Sequence, residues 1–379
     1  MRILHLIHSE GVYGAELILV YLAREMQRLG HEVVVGSMRD PGTPTTAFEK
    51  FAAGAGVAVE EIRIPPRPTP AVVRQLLAIR RRLGADLIHS HGYKADILLG
   101  LVPRRWRGPM LTTAHGWTDP PAFTSLWLYQ LLDRLSLRAL DRVVVVAPHM
   151  RELGAVRTLG ARCAVIENGI PTRAERLADQ ERRGTGPLPP DLVAFVKRAP
   201  TLVAIGRLSQ EKGFDVLLEA FAALGTRPGS QLALVGEGPQ RAGLEAQVAR
   251  LKLGERVFFA GYVDGADRIL EHAHAFVMSS FTEGMPLALL EAMQWQVPII
   301  ATAVGGIPHV LAHGENGTLV PARDAAALAR ALTELFDDRA GAMRRAAAAA
   351  LEVDRKYSSA RMAREYSALY TAMQTAGTA

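Results

Sequence analysis

The chain has 379 residues, of which 49% are hydrophobic and 22% charged, enough apolar material for two ordinary soluble cores at roughly 100–200 residues per domain. Its one cysteine, Cys163, excludes an internal disulfide framework and a cysteine-built metal site, and is expected as a buried residue in a strand. The net charge of +6 belongs to the first half: residues 1–170 hold 21 Lys and Arg against 15 Asp and Glu, and the remainder holds 23 of each.

The opening MRILHLIHSEG has too short an apolar run for a secretory signal, and no stretch of about 18 apolar residues follows. A reducing, cytoplasmic location is therefore expected. Ile3 to Ile7 reads as a strand, residues 14–29 as a helix stopped by Gly30, and His31 to Val35 as the next strand. A helix over 70–83 leads to a strand from Asp86 to His89. Met110 to Thr113, Arg142 to Val146 and Ala164 to Ile166 are further short β-branched runs. Such runs alternating with helices predict βαβ units and a parallel sheet covered on both faces. A helix over 124–140 carries Leu126, Trp127, Tyr129, Leu131 and Leu132, which suit core packing better than membrane contact.

Residues 171–191 are polar and rich in Pro and Gly toward their end, so 173–198 reads as a linker region. The alternation restarts with a strand from Thr201 to Ile205, a helix over 213–224, a strand from Gln231 to Val235 and a helix over 239–251. Val257 to Phe259, Ala275 to Met278 and Pro298 to Ala301 continue as strands, with helices over 285–294 and 325–336. The prediction is an α/β chain of two doubly wound domains, 1–172 and 199–357.

Open α/β sheets bind ligands beyond the carboxyl ends of their strands. The first strand ends in HSEGVYGAE, where Gly11 and Gly14 permit close backbone approach and the helix start offers N–H groups to a phosphate. The pattern is not GxGxxG, which disfavours a nicotinamide cofactor. The strand from Thr201 ends in GRLSQEKGFD, with Arg207 and Lys212 between Gly206 and Gly213. Two cations there suit a diphosphate, and taken alone they fit a solvated surface equally well. VGEGP, with Gly236 and Glu237, turns tightly into a helix, and a helix start accounts for it.

The most informative segment is SSFTEGMPLALLEAMQWQVPIIATAVGGIP, residues 279–308. Glu283 closes a strand, and Glu291 lies about two turns along the following helix, among apolar neighbours. The pair suits hydrogen bonds from hydroxyls of one elongated ligand, with N–H groups around Gly284, Met285 and Pro286 for a phosphate. His89 and His91, in LIHSHG, also end a strand, and with no third ligand in view no metal site is assigned to them.

Taken in order, GVYGAE, TTAHGW, VIENGI, GRLSQEKG, VGEGP and the Glu283-to-Glu291 segment with its ATAVGG tail resemble the family 4 glycosyltransferases over essentially the whole chain. The resemblance implies the GT-B fold, two Rossmann-like domains facing across a cleft. It implies transfer of a hexose-type sugar from a nucleotide-diphosphate sugar with retention of configuration. By the same likeness Arg207 and Lys212 bind the donor diphosphate, Glu291 holds the donor ribose and Glu283 faces the donor sugar. Gly284, Met285, Pro286 and Leu287 match backbone contacts to phosphate and sugar. Gly14 matches the N-terminal glycine loop, Gly206, Gly236 and Glu237 lie in the donor-binding turns, and His115 matches the histidine near the transferred sugar. Residues 358–373 match a helix that returns to the first domain. His309 departs from an expected Glu, Pro171 from an Asp, and Trp295 and Gln296 from small residues.

No Asp-x-Asp occurs, so neither a metal nor a cofactor beyond the co-substrate is expected, and the two cations would stabilise the leaving diphosphate. The expected acceptor is a lipid-linked or polysaccharide glycan precursor. PRRWRG at 103–108 and RQLLAIRRRL at 74–83 suit peripheral contact with an anionic membrane at its inner face, or a plain solvated helix face. Nothing in the basic pattern points to nucleic acid. Two alternatives share the architecture. GRLSQEKG and the Glu283-to-Glu291 segment speak against a sugar-nucleotide epimerase. Intact Arg207, Lys212, Glu283 and Glu291 speak against a non-catalytic partner subunit.

Overall fold

The computed structural model of the chain describes residues 1–8, 11–65, 69–116, 125–225 and 229–375, the side chains of 125–127 and 130 aside. Trp117 and the first residue of the helix expected over 124–140 lie outside the described residues. Two all-parallel sheets organise them. The first holds β1 (Arg2–His8), β2 (Glu32–Arg39), β3 (Ala58–Arg63), β4 (Leu87–His91), β5 (Met110–Ala114), β6 (Arg142–Val145) and β7 (Cys163–Val165), in the order β3-β2-β1-β4-β5-β6-β7. The second holds β8 (Thr201–Ile205), β9 (Gln231–Val235), β10 (Val257–Gly261), β11 (Ala275–Met278), β12 (Ile299–Thr302) and β13 (Thr318–Val320), in the order β10-β9-β8-β11-β12-β13. Strand order reverses at β1/β4 and at β8/β11, the points where such sheets open a crevice for ligands.

The chain divides into two compact units, Met1–Pro171 with the chain from Ser358 on, and Thr172–Tyr357. In the first, Ile3, Leu4, Leu6 and Ile7 of β1 are all buried, as a strand covered on both faces requires. Helix Gly14–Arg28 turns Ile18, Leu19, Leu22 and Met26 inward. The C-terminal helix Ser359–Thr375 packs on it, burying Met362, Tyr366 and Tyr370. Ser359 ties that helix down at its start: its N–H donates to the Ile170 carbonyl at 2.9 Å and its hydroxyl to Glu25 at 3.1 Å. In the second unit Leu202, Leu232, Leu234 and Val277 of the sheet share one core with Leu217, Phe221, Leu328 and Leu332. Cys163 is buried in β7.

Four features differ from the sequence reading. Residues 173–198 are not a linker: helices Arg173–Arg182 and Pro190–Arg198 occupy them, inside the second unit. Thr172 and Glu175 close a reciprocal cap on the first helix, and the residues that helix buries, Arg176, Asp179 and Gln180, are polar, which hid it. The edge strands β3 and β13 were also hidden, β3 by its adjacent Glu60 and Glu61 and β13 by its three-residue length. The helix after Glu283 spans Leu287–Gln294, so Gly284, Met285 and Pro286 precede it. Finally, helix Ser125–Ser136 leaves Leu131 and Leu132 exposed instead of packing them in the core, because the face it buries carries Asp133 and Ser136.

Candidate active site

In the second unit the turns following β8, β9, β11 and β12 are locked together by backbone at glycines. A Cβ on Gly236 (φ 144°) would lie 1.9 Å from the Gly206 carbonyl oxygen, and one on Gly305 (φ 55°) would lie 1.7 Å from that of Glu283. Leu208 N–H donates to the Glu237 carbonyl at 2.9 Å, Phe281 N–H to that of Glu211 at 2.7 Å, and Gly306 N–H to that of Gly284 at 3.0 Å. The sequence therefore needs glycine at these points to bring four strand ends into contact.

On that platform Lys212 Nζ donates to Glu283 Oε1 at 2.6 Å, and the Ser280 hydroxyl donates to the same oxygen at 2.6 Å. The carboxylate side chain is 9% exposed and the ammonium 25%, so the pair faces outward from a nearly dry base. Arg207 is exposed in the same turn. Met285, Pro286 and Leu287 are buried, and Gly284 before them is partly exposed. Glu237 is paired with Arg241. His309 is exposed on the short helix Ile307–Val310.

Glu291 has a different partner. Arg176, from the helix first read as linker, lies 3.4 Å from Glu291 Oε1 and donates to Asp267 at 2.8 Å and to Gln294 at 2.8 Å. Trp295 Nε1–H and Gln180 also donate to Asp267, at 3.1 Å and 3.0 Å. Trp295 is thus part of the support for this carboxylate cluster. Burial, together with the Asp267 charge, raises the Glu291 carboxyl to about 7, against the lowering effect of Arg176. Arg176 and Asp267 were missed from sequence, and only the capping pair Thr172-x-x-Glu175 signalled the helix that carries Arg176.

The first unit, taken by itself, holds a column of imidazoles. His115, just past β5, accepts or donates at Nε2 to His91 Nδ1 at 3.2 Å, and His91 Nε2 meets His5 Nδ1 at 3.0 Å. Among the described residues His5 Nε2, fully buried, has no hydrogen-bond partner. A buried orphan N–H is rarer than an orphan acceptor. The arrangement that avoids it protonates His5 at Nδ1, hence His91 at Nδ1, and leaves His115 protonated at Nδ1, away from the column. Burial lowers His5 to about 3 and His115 to about 4, so both are neutral at pH 7. Gly14 is exposed at the first position of its helix.

His5 also corrects the reading that His89 and His91 have no third ligand nearby: ring nitrogens of the three lie within 4.8 Å of one another. The set nevertheless suits a metal poorly. Both nitrogens of His89 are committed at 2.7 Å, Nδ1 to the Tyr370 hydroxyl and Nε2 to that of Thr113, which in turn meets Tyr366 at 2.7 Å.

The family profile described as Glycosyltransferase Family 4 matches residues 12–174, and that described as Glycosyl transferases group 1 matches residues 199–338. N-acetyl-alpha-D-glucosaminyl L-malate synthase of Bacillus anthracis is 31% identical over 339 residues, covering 87% of this chain and 85% of its own. Phosphatidyl-myo-inositol mannosyltransferase of Mycobacterium leprae is 27% identical over 96% of this chain and 94% of its own. Among solved structures, that of Anabaena Alr3699/HepE in complex with UDP and glucose superposes with a TM-score of 0.80 at 21% identity, over 98% of this chain and 100% of the other.

Proposed function

The chain belongs to glycosyltransferase family 4, with the two parallel-sheet units of the GT-B fold, and we propose that it transfers a hexose-type sugar from a nucleotide-diphosphate donor to a glycan precursor, with retention of configuration and without a metal. The observation that carries this is the Lys212–Glu283 pair, set on glycine-locked turns at the β8/β11 switch point. Lys212 and Arg207 meet the donor diphosphate, and Glu283 accepts hydrogen bonds from the sugar hydroxyls. Glu291, steadied by Arg176, does the same for the ribose. The backbone of Gly14, which is exposed, and of the partly exposed Gly206, Gly236 and Gly284 supplies further contacts.

In the reaction the bond between the anomeric carbon and the phosphate oxygen breaks, and its electron pair leaves on the nucleoside diphosphate. Preorganised cations stabilise that developing charge without reorganisation at the moment of transfer. The acceptor hydroxyl forms the new bond on the face the phosphate leaves, and its proton passes to the departing phosphate oxygen. His115, neutral and protonated at Nδ1, offers one N–H to a sugar or acceptor hydroxyl.

A thermal-shift panel of UDP, GDP, ADP and dTDP, with and without chelator, tests the donor site. UDP comes first, because the HepE structure was determined with it. Saturation at 100 times the dissociation constant adds about 2.7 kcal/mol of stability. One nucleotide is expected to shift the transition regardless of chelator. Lys212→Ala is expected to abolish the shift and to lower the transfer rate roughly 100- to 1000-fold. Near-normal transfer by Lys212→Ala, or a shift that needs metal, would refute the assignment.

A further inference from the structure

Three ionisable side chains of the second unit meet largely out of water. Those of Glu291, Asp267 and Arg176 are 14%, 5% and 3% exposed. One cation cannot neutralise two carboxylates, and an uncompensated buried charge is costly. The available donors are divided unequally. Asp267 accepts from Arg176 Nη1 at 2.8 Å, from Gln180 Nε2 at 3.0 Å and from Trp295 Nε1 at 3.1 Å. Glu291 Oε1 lies 3.4 Å from the same Arg176 nitrogen, and among the described residues no hydrogen bond reaches its carboxyl.

The surroundings hold this division in place. The Arg173 guanidinium lies 4.8 Å over the Trp295 ring, and Arg176 Nη2 donates to Gln294 at 2.8 Å. Helix Arg339–Lys356 also packs on the Glu291 helix, but there Asp354 accepts from the Gln294 amide at 3.4 Å and Glu352 is paired with Lys356. The charges that act on Glu291 are those of Asp267 and Arg176. Burial and the Asp267 charge prevail over Arg176 and raise the Glu291 carboxyl to about 7. Glu291 is also the most exposed of the three, so it is the member a ligand can reach.

We propose that Asp267 is a positioning residue for the donor ribose: it holds Arg176 to itself, so Glu291 carries a proton in the free protein, and the ribose hydroxyls displace that proton when the donor binds. This rests on the donor reading above, in which Glu291 meets the ribose. In the step the Glu291 O–H bond breaks, the proton leaves to solvent, and the hydroxyls donate to the carboxylate oxygens left behind. Hydrogen bonds to the charged form of a carboxyl favour that form. Donor binding therefore tightens as pH rises through 7 and weakens on acidification. The site answers to the number of hydroxyl donors on the sugar, so a 2′-deoxyribose displaces less of the proton.

Titration calorimetry of the full chain with the four nucleotides of the panel above, UDP first, tests this in buffers of different ionisation enthalpy. The terminal phosphate of a nucleoside diphosphate also titrates in this range, so each value is read as the difference between wild type and Glu291→Gln. The wild type is expected to release about half a proton more than Glu291→Gln at pH 7, and to lose about tenfold more affinity between pH 8 and pH 6. Asp267→Asn frees Arg176 for Glu291, and its affinity should follow pH as that of Glu291→Gln does. A role in packing alone would lower the unfolding temperature without moving the pH profile. Should either variant fail to fold, infrared difference spectra of the wild type decide, since a protonated-carboxyl band should be lost when the nucleotide binds. Binding with one pH profile in wild type and Asp267→Asn, or with no carboxyl band lost, overturns the proposal and leaves the donor site standing. Binding of none of the four nucleotides removes both.

Discussion

His115 is the outer end of a line of three imidazoles, and its usefulness depends on the other two. If His91 sets the His115 tautomer, its replacement changes catalysis through a residue that touches no substrate. His91→Leu removes the donor to His115 Nε2, and His91→Asn keeps an N–H near the Nδ1 position. The expected outcome is about a tenfold fall in kcat for His91→Leu at little change in KM for the donor, with His91→Asn much closer to wild type. The scale is that of one buried polar group left unpaired, about 1–3 kcal/mol. Nitrogen NMR should show the His115 proton leaving Nδ1 in His91→Leu. An unchanged His115 tautomer in that variant would count against the column as a positioning device. From sequence, His115, Lys212 and Glu283 were singled out because each stands in a strand-end motif. His5 was not, since a histidine inside an apolar strand carries no local signal and its neighbour His91 lies two segments away.

Helices show where patterning misleads. Periodicity located the helix after β1 and the helix Pro70–Leu83 to within a residue, because an apolar stripe facing a core is what the rule detects. The same rule placed Leu131 and Leu132 inside, where burial of Asp133 and Ser136 instead turns them out. It passed over Arg173–Arg182, whose inward face is a charge network. That helix has a measurable share in the fold: Arg176 is the cation beside Asp267 and Glu291, all three largely withdrawn from water. Arg176→Ala is expected to cost about 3–5 kcal/mol in urea unfolding, the penalty for stranding buried carboxylates. A loss below about 1 kcal/mol would mean the helix is only a surface cover. Edge strands β3 and β13 escaped for a related reason, since an edge is where charge and short length are tolerated.

For the molecule as a whole, the buried ionisable groups make the first unit more sensitive to acid than the second. In the first unit burial lowers His5, His89, His91 and His115 below the ordinary value of 6.5. Their contribution is complete above pH 6.5 and is lost on acidification, as the unfolded chain binds protons that the folded one refuses. Each is worth about 1.4 kcal/mol per pH unit in that window. Asp96, raised by burial and by Asp133, opposes them as a single group. In the second unit Glu291, raised from 4.5 to about 7, acts the other way, its stabilisation being present below pH 4.5 and lost as pH rises toward 7, and His274, lowered by burial to about 4, offsets it there. Calorimetry between pH 7.5 and 5 should show the transition of the first unit falling steeply. Replacing His5 and His91 together by Gln should flatten that fall, and an unchanged slope would remove these histidines from the account.

The second unit is one continuous stretch, while the first is completed by the C-terminal helix. During synthesis the hydroxyls of Tyr366 and Tyr370 reach Thr113 and His89 only after every residue of the second unit has been made. Whether or not the amino-terminal sheet forms early, as is usual, His89 therefore keeps an open ring nitrogen until the last helix arrives.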